Sequence, residues 1–483
     1  MVLSGAAVLG APTFAQTQEA SVAASLRLDP KQLGHRIPAD FTGLSYEKAQ
    51  MSDPAYFSGA NTALVGMMRR LGPKGVLRIG GNTSEYCFWT PHATPAEEVA
   101  AMNQGAMGPD PGHKPAEDRK IMPLAVNNLR DFIDATGWTL IYGLNMGKGT
   151  AADAADEADY VMKTIGKDKL VAFQLCNEPD LFYRNGIRKQ DYNAAQFNDE
   201  WQTFFDAIRA RVPDAPFAGP DTAYGLEWMV PFADRFKNDV KFLSSHYYAE
   251  GPPTDPTMTI ERLLRNPTLQ KQFGGMQQVL EQTKLPFRLA ETNSCYSAGR
   301  QGVSDTFASA LWGADLMYQL AQAGGIGINF HGGGYGWYTP IAGTTRNGFV
   351  ARPIFYGMLL FAQAGPGTLI DTKITSGAGA EAEPMQSAYG LVSDEGKVKL
   401  VVFNRDPGQT IRLSIDPGGK TARATALRLS APRIDDTTDT TLGSAPVGES
   451  GEWKPLREET LSIQDGQVML DLPGASAALV SFS

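Results

Sequence analysis

The chain contains 483 residues, of which 42% are hydrophobic and 20% are charged. This composition is typical of a globular protein of two to four domains and excludes a disordered chain or a small disulfide-stapled scaffold. The net charge of -9 repels polyanions, so we expect no nucleic-acid partner. The three cysteines and five histidines show no metal-ligand spacing, so we expect no metal and no other cofactor.

The first 16 residues resemble the second half of a secretory signal, with a short apolar stretch followed by small residues at Thr13 and Ala15. The basic segment that usually begins such a signal is missing. We therefore interpret residues 1–20 as a signal-peptide remnant or a disordered tail, and we expect a secreted or periplasmic protein. No apolar run reaches the roughly 18 residues of a membrane helix, so no membrane partner is expected.

A short alternating run then predicts a strand over residues 21–30, and eight β-prone segments follow that alternate with helical patterns. The clearest helix is predicted at 192–211. Eight βα units favour an α/β fold in which a closed (β/α)8 TIM barrel occupies residues 31–365. The eight predicted strands are 41–46, 75–79, 139–145, 171–175, 217–219, 242–246, 287–290 and 327–330.

After about Gly365 the helical patterns stop, and alternating strands are separated by Gly, Pro and Asp turns. The clearest of these strands are 398–403, 410–415, 467–472 and 477–482. This pattern predicts a C-terminal β-sandwich domain over residues 366–483. We expect the early strand at 21–30 to join this sandwich.

Two glutamates follow predicted barrel strands. Glu178 lies between Asn177 and Pro179 after the fourth strand, and Glu291 follows the seventh. A single glutamate at a strand end is often a loop-ordering ion pair or a cap. The carboxyl ends of all barrel strands share one mouth, however, and paired carboxylates there are the minimum equipment for glycoside hydrolysis. Asn177 is a candidate to hold a sugar hydroxyl beside the reacting carbon.

Seven short motifs lie at or near the ends of the predicted barrel strands. They are Gly-Leu-Ser-Tyr-Glu at 43–47, Leu-Arg-Ile-Gly-Gly-Asn at 77–82, Tyr-Gly-Leu-Asn at 142–145, Asn-Glu-Pro at 177–179, His-Tyr-Tyr at 246–248, Glu-Thr-Asn-Ser-Cys-Tyr at 291–296 and Ser-Asp-Thr-Phe-Ala at 304–308. Together these motifs resemble glycoside hydrolase family 79, which contains β-glucuronidases and heparanases. The similarity covers most of the predicted barrel, and the combination of the fourth-strand and seventh-strand motifs is the specific part.

The resemblance implies a retaining reaction in which Glu178 is the general acid/base and Glu291 is the nucleophile. These roles require Glu178 to stay protonated while Glu291 stays ionised. Arg78 and Tyr248 lie at neighbouring strand ends, where hydrogen bonds from them would lower the pKa of Glu291. We assign His246 an orienting role at most.

A glucuronide site must also recognise a carboxylate, yet the seventh-strand motif up to Ala298 contains no Arg or Lys. We therefore expect neutral donors, namely the backbone amides of Ser297 and Ala298 with hydroxyls of Tyr338 and Tyr296. Heparanase members of the family have glycine at the positions of Ser297 and Ala298. Glu47, after the first strand, is a candidate acceptor for the sugar C3 or C4 hydroxyl.

Three functions remain open at this point. The favoured one is an exo-acting β-glucuronidase of bacterial type, whose partner is a β-glucuronide or a glycan capped by glucuronic acid. The second is an endo-acting, heparanase-like β-glucuronidase, which needs an open basic cleft, whereas the insertion at 90–119 could close the pocket. The third is a non-catalytic carbohydrate-binding protein.

Overall fold

The computed structural model describes residues 20–102, 117–376 and 385–483. The signal-like segment at 1–16 lies outside these residues, and so does the part of the predicted insertion at 103–116. The domain boundaries predicted at residues 20, 30 and 365 stay predictions.

Eight parallel strands close into a barrel, which confirms the predicted fold class. Each predicted strand is present, and the fifth, sixth and seventh continue several residues beyond their predicted carboxyl ends. In chain order the barrel strands are Thr42–Glu47, Val76–Gly80, Thr139–Gly143, Leu170–Gln174, Phe217–Thr222, Val240–Glu250, Phe287–Cys295 and Gly327–Gly332. Below they are called barrel strands one to eight.

Helices connect the barrel strands, and short two-stranded ribbons lie in the connecting loops. The predicted helix at 192–211 begins at Ala194, where Asn193 caps its amides. The α-helices are Thr62–Arg70, Pro95–Ala101, Pro123–Thr136, Ala151–Ile165, Ala194–Arg211, Met229–Phe236, Ile260–Arg265, Leu269–Thr283, Phe307–Gln322 and Pro353–Ala364, and the ribbons pair Cys87–Trp89 with Arg119–Ile121 and Ile341–Thr344 with Gly348–Ala351.

The remaining strands form one continuous sheet of eleven strands. Strands from opposite halves of this sheet contribute to the same apolar core, so the sheet curls over itself as a sandwich. In chain order these strands are Ala20–Ile37, Gly367–Ser376, Gln386–Ser393, Val398–Asn404, Gln409–Asp416, Ala424–Ser430, Thr441–Leu442, Glu459–Thr460, Ser462–Gln464, Gln467–Leu472 and Ser476–Phe482.

The N-terminal strand Ala20–Ile37 lies inside this sheet, as the sequence predicts. It pairs antiparallel with Gly367–Ser376 and parallel with Gln409–Asp416. Irregularities in the register after Asp29 keep the strand paired as far as Ile37, beyond the end predicted at residue 30.

Two helices, Phe307–Gln322 and Pro353–Ala364, pack between the barrel and the sheet and are buried on nearly every side. Tyr318 stacks on Tyr389 of the sheet at 4.9 Å, and Asp315 accepts hydrogen bonds from Arg405 and Tyr389. This polar and aromatic contact fixes the sheet against the barrel. Among the helices of the described ranges, none combines the length and apolar character needed to cross a bilayer.

Candidate active site

Glu178 and Glu291 meet at the carboxyl ends of barrel strands four and seven. Oxygens of the two carboxylates lie within 4.8 Å of each other, and the residues are 7% and 5% exposed. Glu178 has a left-handed backbone, with φ of 50°, directly before Pro179. Its amide donates a hydrogen bond to the carbonyl of Asp221 on strand five, which holds the turn in place.

Arg78 on strand two connects the carboxylates of Glu291 and Asp221. It is fully buried, and its guanidinium donates to Glu291 at 2.5 Å and to Asp221 at 2.6 Å. The remaining donors contact Asn177, Gln174 and Ser45. All donors of the guanidinium are therefore used by side chains that lie on, or directly after, four other barrel strands. Arg78 thereby fixes the relative positions of these strands.

The nucleophile candidate, Glu291, is held ionised. Burial alone would raise the pKa of Glu291, but His331, His246 and Arg78 lower it together with a hydrogen bond from Tyr248, and the lowering prevails. The Tyr248 hydroxyl lies 2.7 Å from one carboxylate oxygen and Arg78 contacts the other. Arg78 and Tyr248 thus occupy the positions that the sequence analysis assigned to them.

The acid candidate, Glu178, has the opposite environment. Burial raises the pKa of Glu178, although the hydrogen bond and charge of His246 oppose the rise. His246 Nδ1 lies 2.9 Å from Glu178, and Nε2 lies 3.3 Å from Asp221 without the alignment of a hydrogen bond. Burial lowers the pKa of His246, but Asp221 and Glu291 raise it to about 10 overall. His246 therefore contacts the acid candidate directly, and the orienting role predicted for it stays a prediction.

Three tyrosines surround the two carboxylates. Tyr248 lies 6.1 Å from Tyr338 and 6.4 Å from Tyr296, measured between ring centroids. Burial raises the pKa of Tyr338, and the carboxylates of Glu291 and Glu47 add to the rise. Tyr338 is 2% exposed, whereas Tyr296 is only partly buried.

The backbone after strand seven forms a turn of three successive left-handed residues. Ser297, Ala298 and Gly299 have φ values of 63°, 68° and 85°. Left-handed backbone is strained for Ser and Ala, and such strain persists where surrounding contacts impose it. The carbonyl of Ala298 accepts from the amide of Trp337 at 2.7 Å. Within the described part of the chain, the amides of residues 297–299 donate to no acceptor, as an anion-binding turn requires.

Glu47 lies at the end of strand one, on the Tyr338 side of the site. One oxygen of Glu47 accepts hydrogen bonds from the amide and hydroxyl of Thr83, at 2.8 and 2.6 Å. Its other oxygen lies 3.4 Å from Nε2 of His331, whose Nδ1 lies 3.4 Å from Glu291. Glu47 is thereby oriented with one oxygen directed to the same histidine that faces Glu291.

Sequence reasoning missed Asp221, His331 and Glu85. Asp221 was not found because the predicted fifth strand stopped at Gly219, before a proline, whereas the observed strand continues to Thr222. His331 was not found because the predicted eighth strand stopped at Phe330, whereas the observed strand continues to Gly332. Glu85 is buried behind Asn177, and no spacing signal in the sequence connects the two. A search for polar residues at every strand end would have found the first two.

Glu178, His246 and Glu291 also present ligand atoms at a spacing that could accommodate a cation. Both oxygens of Glu291 are already hydrogen-bonded, to Arg78 and to Tyr248. The positive charge of Arg78 would oppose a metal ion at the same carboxylate. These three side chains therefore suit a pair of carboxylates that react with a substrate better than they suit a bound cation.

A (β/α)8 barrel with two close carboxylates of opposite pKa shift at its mouth is the arrangement of a glycoside hydrolase. The family profile described as "Glycosyl hydrolase family 79, N-terminal domain" matches residues 76–318, half of the chain. The chain belongs to glycosyl hydrolase family 79, which confirms the family predicted from its motifs.

Two fungal proteins illustrate the similarity in sequence. A β-glucuronidase of Neurospora crassa is 26% identical over 375 residues, which cover 69% of this chain and 65% of the fungal protein. A β-glucuronidase of Aspergillus niger is 24% identical over 507 residues, covering 92% of this chain and 88% of that protein.

Solved structures share the fold. A 4-O-α-L-rhamnosyl-β-D-glucuronidase of Fusarium oxysporum 12S, solved with Rha-GlcA, has a TM-score of 0.73 at 17% identity and covers 95% of this chain and 100% of that one. A family 51 arabinofuranosidase of Xanthomonas axonopodis pv. citri has a TM-score of 0.70 at 14% identity, covering 96% and 100%. At these identities the likeness shows the fold alone.

Proposed function

We propose that this protein is a retaining exo-β-glucuronidase that removes terminal β-D-glucuronic acid from glucuronides or glycans. The observation that carries the proposal is the closeness of Glu178 and Glu291, within 4.8 Å, with pKa values shifted in opposite directions. Retaining enzymes have carboxyl groups about 5 to 5.5 Å apart, whereas inverting enzymes leave room for a water between them. The β-glucuronidase names of the two fungal relatives agree with this substrate.

In the proposed reaction, Glu178 donates its proton to the glycosidic oxygen while Glu291 attacks the anomeric carbon. The aglycone leaves, and a covalent glycosyl ester forms on Glu291. Glu178, now ionised, takes a proton from water, and the water oxygen attacks the anomeric carbon to release glucuronic acid with its β configuration. Arg78 and Tyr248 stabilise the carboxylate of Glu291 when it is regenerated as the leaving group.

The sugar carboxylate is bound by the turn at residues 297–299 and the hydroxyls of Tyr338 and Tyr296. Free amides in this left-handed turn and the neighbouring phenols supply neutral donors. A guanidinium there would place a fixed positive charge beside an oxocarbenium-like transition state, which is itself positive. Glu47 accepts the C3 or C4 hydroxyl of the sugar, and Asn177 binds a hydroxyl near the reacting carbon.

Hydrolysis of a chromogenic β-glucuronide, compared with the matched β-glucoside and with a heparan polymer, tests this function. We expect the glucuronide to be cleaved fastest and NMR of the first product to show the β anomer. Preference for the glucoside would contradict the substrate, internal cleavage of the polymer would favour the endo-acting alternative, and an α product at first turnover would contradict retention.

Two variants test the roles. Glu291→Gln should abolish turnover for every leaving group, because no other group forms the covalent intermediate. Glu178→Ala should retain activity on activated aryl glucuronides, which need little acid assistance, and azide should restore turnover. If both variants respond alike to the pKa of the leaving group, the assignment is wrong. Carbohydrate binding without turnover in the wild type would favour a non-catalytic protein.

A further inference from the structure

The rim beside Glu178 carries two exposed aromatic side chains that the proposed reaction does not use. Tyr224 is 50% exposed and Tyr183 is 37% exposed. Tyr183 follows the short turn Pro179–Leu181 after strand four, and Tyr224 follows strand five. Large apolar surface left exposed beside a reactive group commonly marks a place where a ligand binds.

Asp180 ties these two loops together. Its carboxylate accepts hydrogen bonds from the amides of Ala223, Tyr224 and Gly225, each at 2.9 Å. Asp180 follows Glu178 by two positions, so the loop that bears Tyr224 is fixed relative to the acid candidate. A ring held in this way needs little further ordering when a ligand stacks on it, and such preorganisation favours affinity.

Tyr224 is half exposed, and its loop is held by Asp180, two residues after the acid candidate. Burial raises the pKa of Tyr224, and Glu178, Tyr296 and Asp180 contribute in the same direction, whereas Arg184 acts in the opposite direction. Because Asp180 fixes this loop, the exposed ring lies on the Glu178 side of the site.

Arg184 adds a cation beside the ring of Tyr183. Its Nε donates to the hydroxyl of Tyr183 at 2.7 Å. Across residues 20–102, 117–376 and 385–483, no carboxylate lies within 4.0 Å of the guanidinium. A guanidinium without an ion-pair partner is free to stack on a planar aromatic group.

The position of this cluster identifies what it would contact. The acid residue protonates the oxygen between the sugar and its aglycone, so the aglycone lies on the Glu178 side of the scissile bond. Tyrosine rings and a guanidinium both bind flat aromatic rings by stacking. A flexible alkyl aglycone would gain much less from the same surfaces.

We propose that Tyr183, Arg184 and Tyr224 form an aglycone site that selects glucuronides of planar aromatic alcohols. This inference rests on the proposed function, since it requires the glucuronic acid to occupy the space between Glu178 and Glu291. It adds the class of aglycone, which the sugar site alone does not determine.

Binding to a Glu291→Gln background separates aglycone recognition from leaving-group chemistry. We would measure dissociation constants of 2-naphthyl β-glucuronide and methyl β-glucuronide by calorimetry, with and without Tyr224→Ala. The naphthyl glucuronide should bind more tightly, and Tyr224→Ala should weaken it by about 2- to 10-fold, as expected for loss of an aromatic pair. The affinity for methyl glucuronide should not change.

Two variants serve as controls. Tyr224→Phe keeps the aromatic ring, so it should still bind the naphthyl glucuronide more tightly than the methyl glucuronide. This control separates loss of the ring in Tyr224→Ala from misfolding of that variant. Tyr335→Ala removes another exposed tyrosine, 47% exposed and hydrogen-bonded to Asn347 after strand eight, and should affect neither ligand.

Equal weakening of both ligands by Tyr224→Ala, or no weakening of either, would overturn the aglycone site. Tighter binding of a heparan oligosaccharide, lost in Arg184→Gln and at high salt, would show a polyanionic aglycone instead and also overturn it. Failure of the proposed function would give a different result, since neither glucuronide would then bind better than its matched glucoside.

Discussion

The carboxylate of Glu85 accepts a hydrogen bond of 3.0 Å from the amide of Asn177, the residue directly before the proposed acid. Its other oxygen accepts from the amide of Gly147 at 2.6 Å, after strand three. Glu85 thus bridges the ends of strands three and four from beneath the site. It is 1% exposed, and we interpret it as a positioning residue for the turn that bears Glu178.

The first prediction concerns the pH dependence of stability through Glu85. Burial raises the pKa of Glu85 from 4.5 to about 7, against the two amide hydrogen bonds. The folded state therefore holds this proton more tightly than the unfolded state. The resulting stabilisation is complete below the unfolded pKa and is lost as the pH rises through 7, by roughly 3 kcal/mol at most.

Glu85→Gln removes this titration, so its melting temperature should fall less than that of the wild type between pH 5 and pH 8. The variant should also lower kcat on aryl glucuronides, because the two backbone amides donate to different oxygens of Glu85 and one of these becomes an NH2 donor in glutamine. Parallel melting curves for wild type and variant across this range would contradict the prediction.

A second prediction concerns His246, whose positive charge lies close to the carboxyls of both Glu178 and Glu291. Both Glu178 and Glu291 have their pKa lowered by this charge. His246→Gln should therefore move both limbs of the kcat/KM profile to higher pH, by roughly 1 to 3 units. Profiles measured on one aryl glucuronide decide this, and a basic limb that stays or moves to lower pH would refute the role of Glu178 as the acid.

Arg78→Lys should be far from conservative, because a lysine cannot reproduce a planar fork with five donors. The buried carboxylates of Asp221 and Glu291 would lose their shared partner, and breaking such pairs costs about 3 to 5 kcal/mol. Chemical denaturation and turnover should both show the loss. Arg36→Lys, at the exposed pair with Asp394, is the matched control and should change stability little. Near-normal stability in Arg78→Lys would refute the bridging role.

The fourth prediction concerns the hydrogen bond that we propose between Tyr338 and the sugar carboxylate. One hydrogen bond to a charged group contributes about 1.5 to 3 kcal/mol, so Tyr338→Phe should lower kcat/KM for the glucuronide by about 10- to 150-fold. Activity on the matched glucoside should barely change. An equal loss on both substrates would mean that Tyr338 positions the site in general and that the carboxylate is recognised elsewhere.

The barrel could be predicted from the sequence because each β-prone run is followed by a helical pattern. The positions of Glu178 and Glu291 could be predicted because the reactive residues of such barrels lie at the carboxyl ends of the strands. The sequence was insufficient for Glu85, whose partner Asn177 is distant in the chain and comes close only after the barrel closes. The double contact of His246 with Glu178 and Asp221 likewise depends on strand tilt and register. Pairwise distances of this kind have no local signature.

The strand Ala20–Ile37 has consequences for the order in which the protein is assembled. A ribosome makes this strand before any barrel strand, yet both of its partners, Gly367–Ser376 and Gln409–Asp416, are made after the whole barrel. Until these partners are made, the backbone N–H and C=O groups of Ala20–Ile37 have no strand with which to form hydrogen bonds. Pairing with them then closes a very long loop of the chain. Removing residues 20–37 would leave two facing strand edges open, so such a truncated protein should aggregate even if its barrel folds.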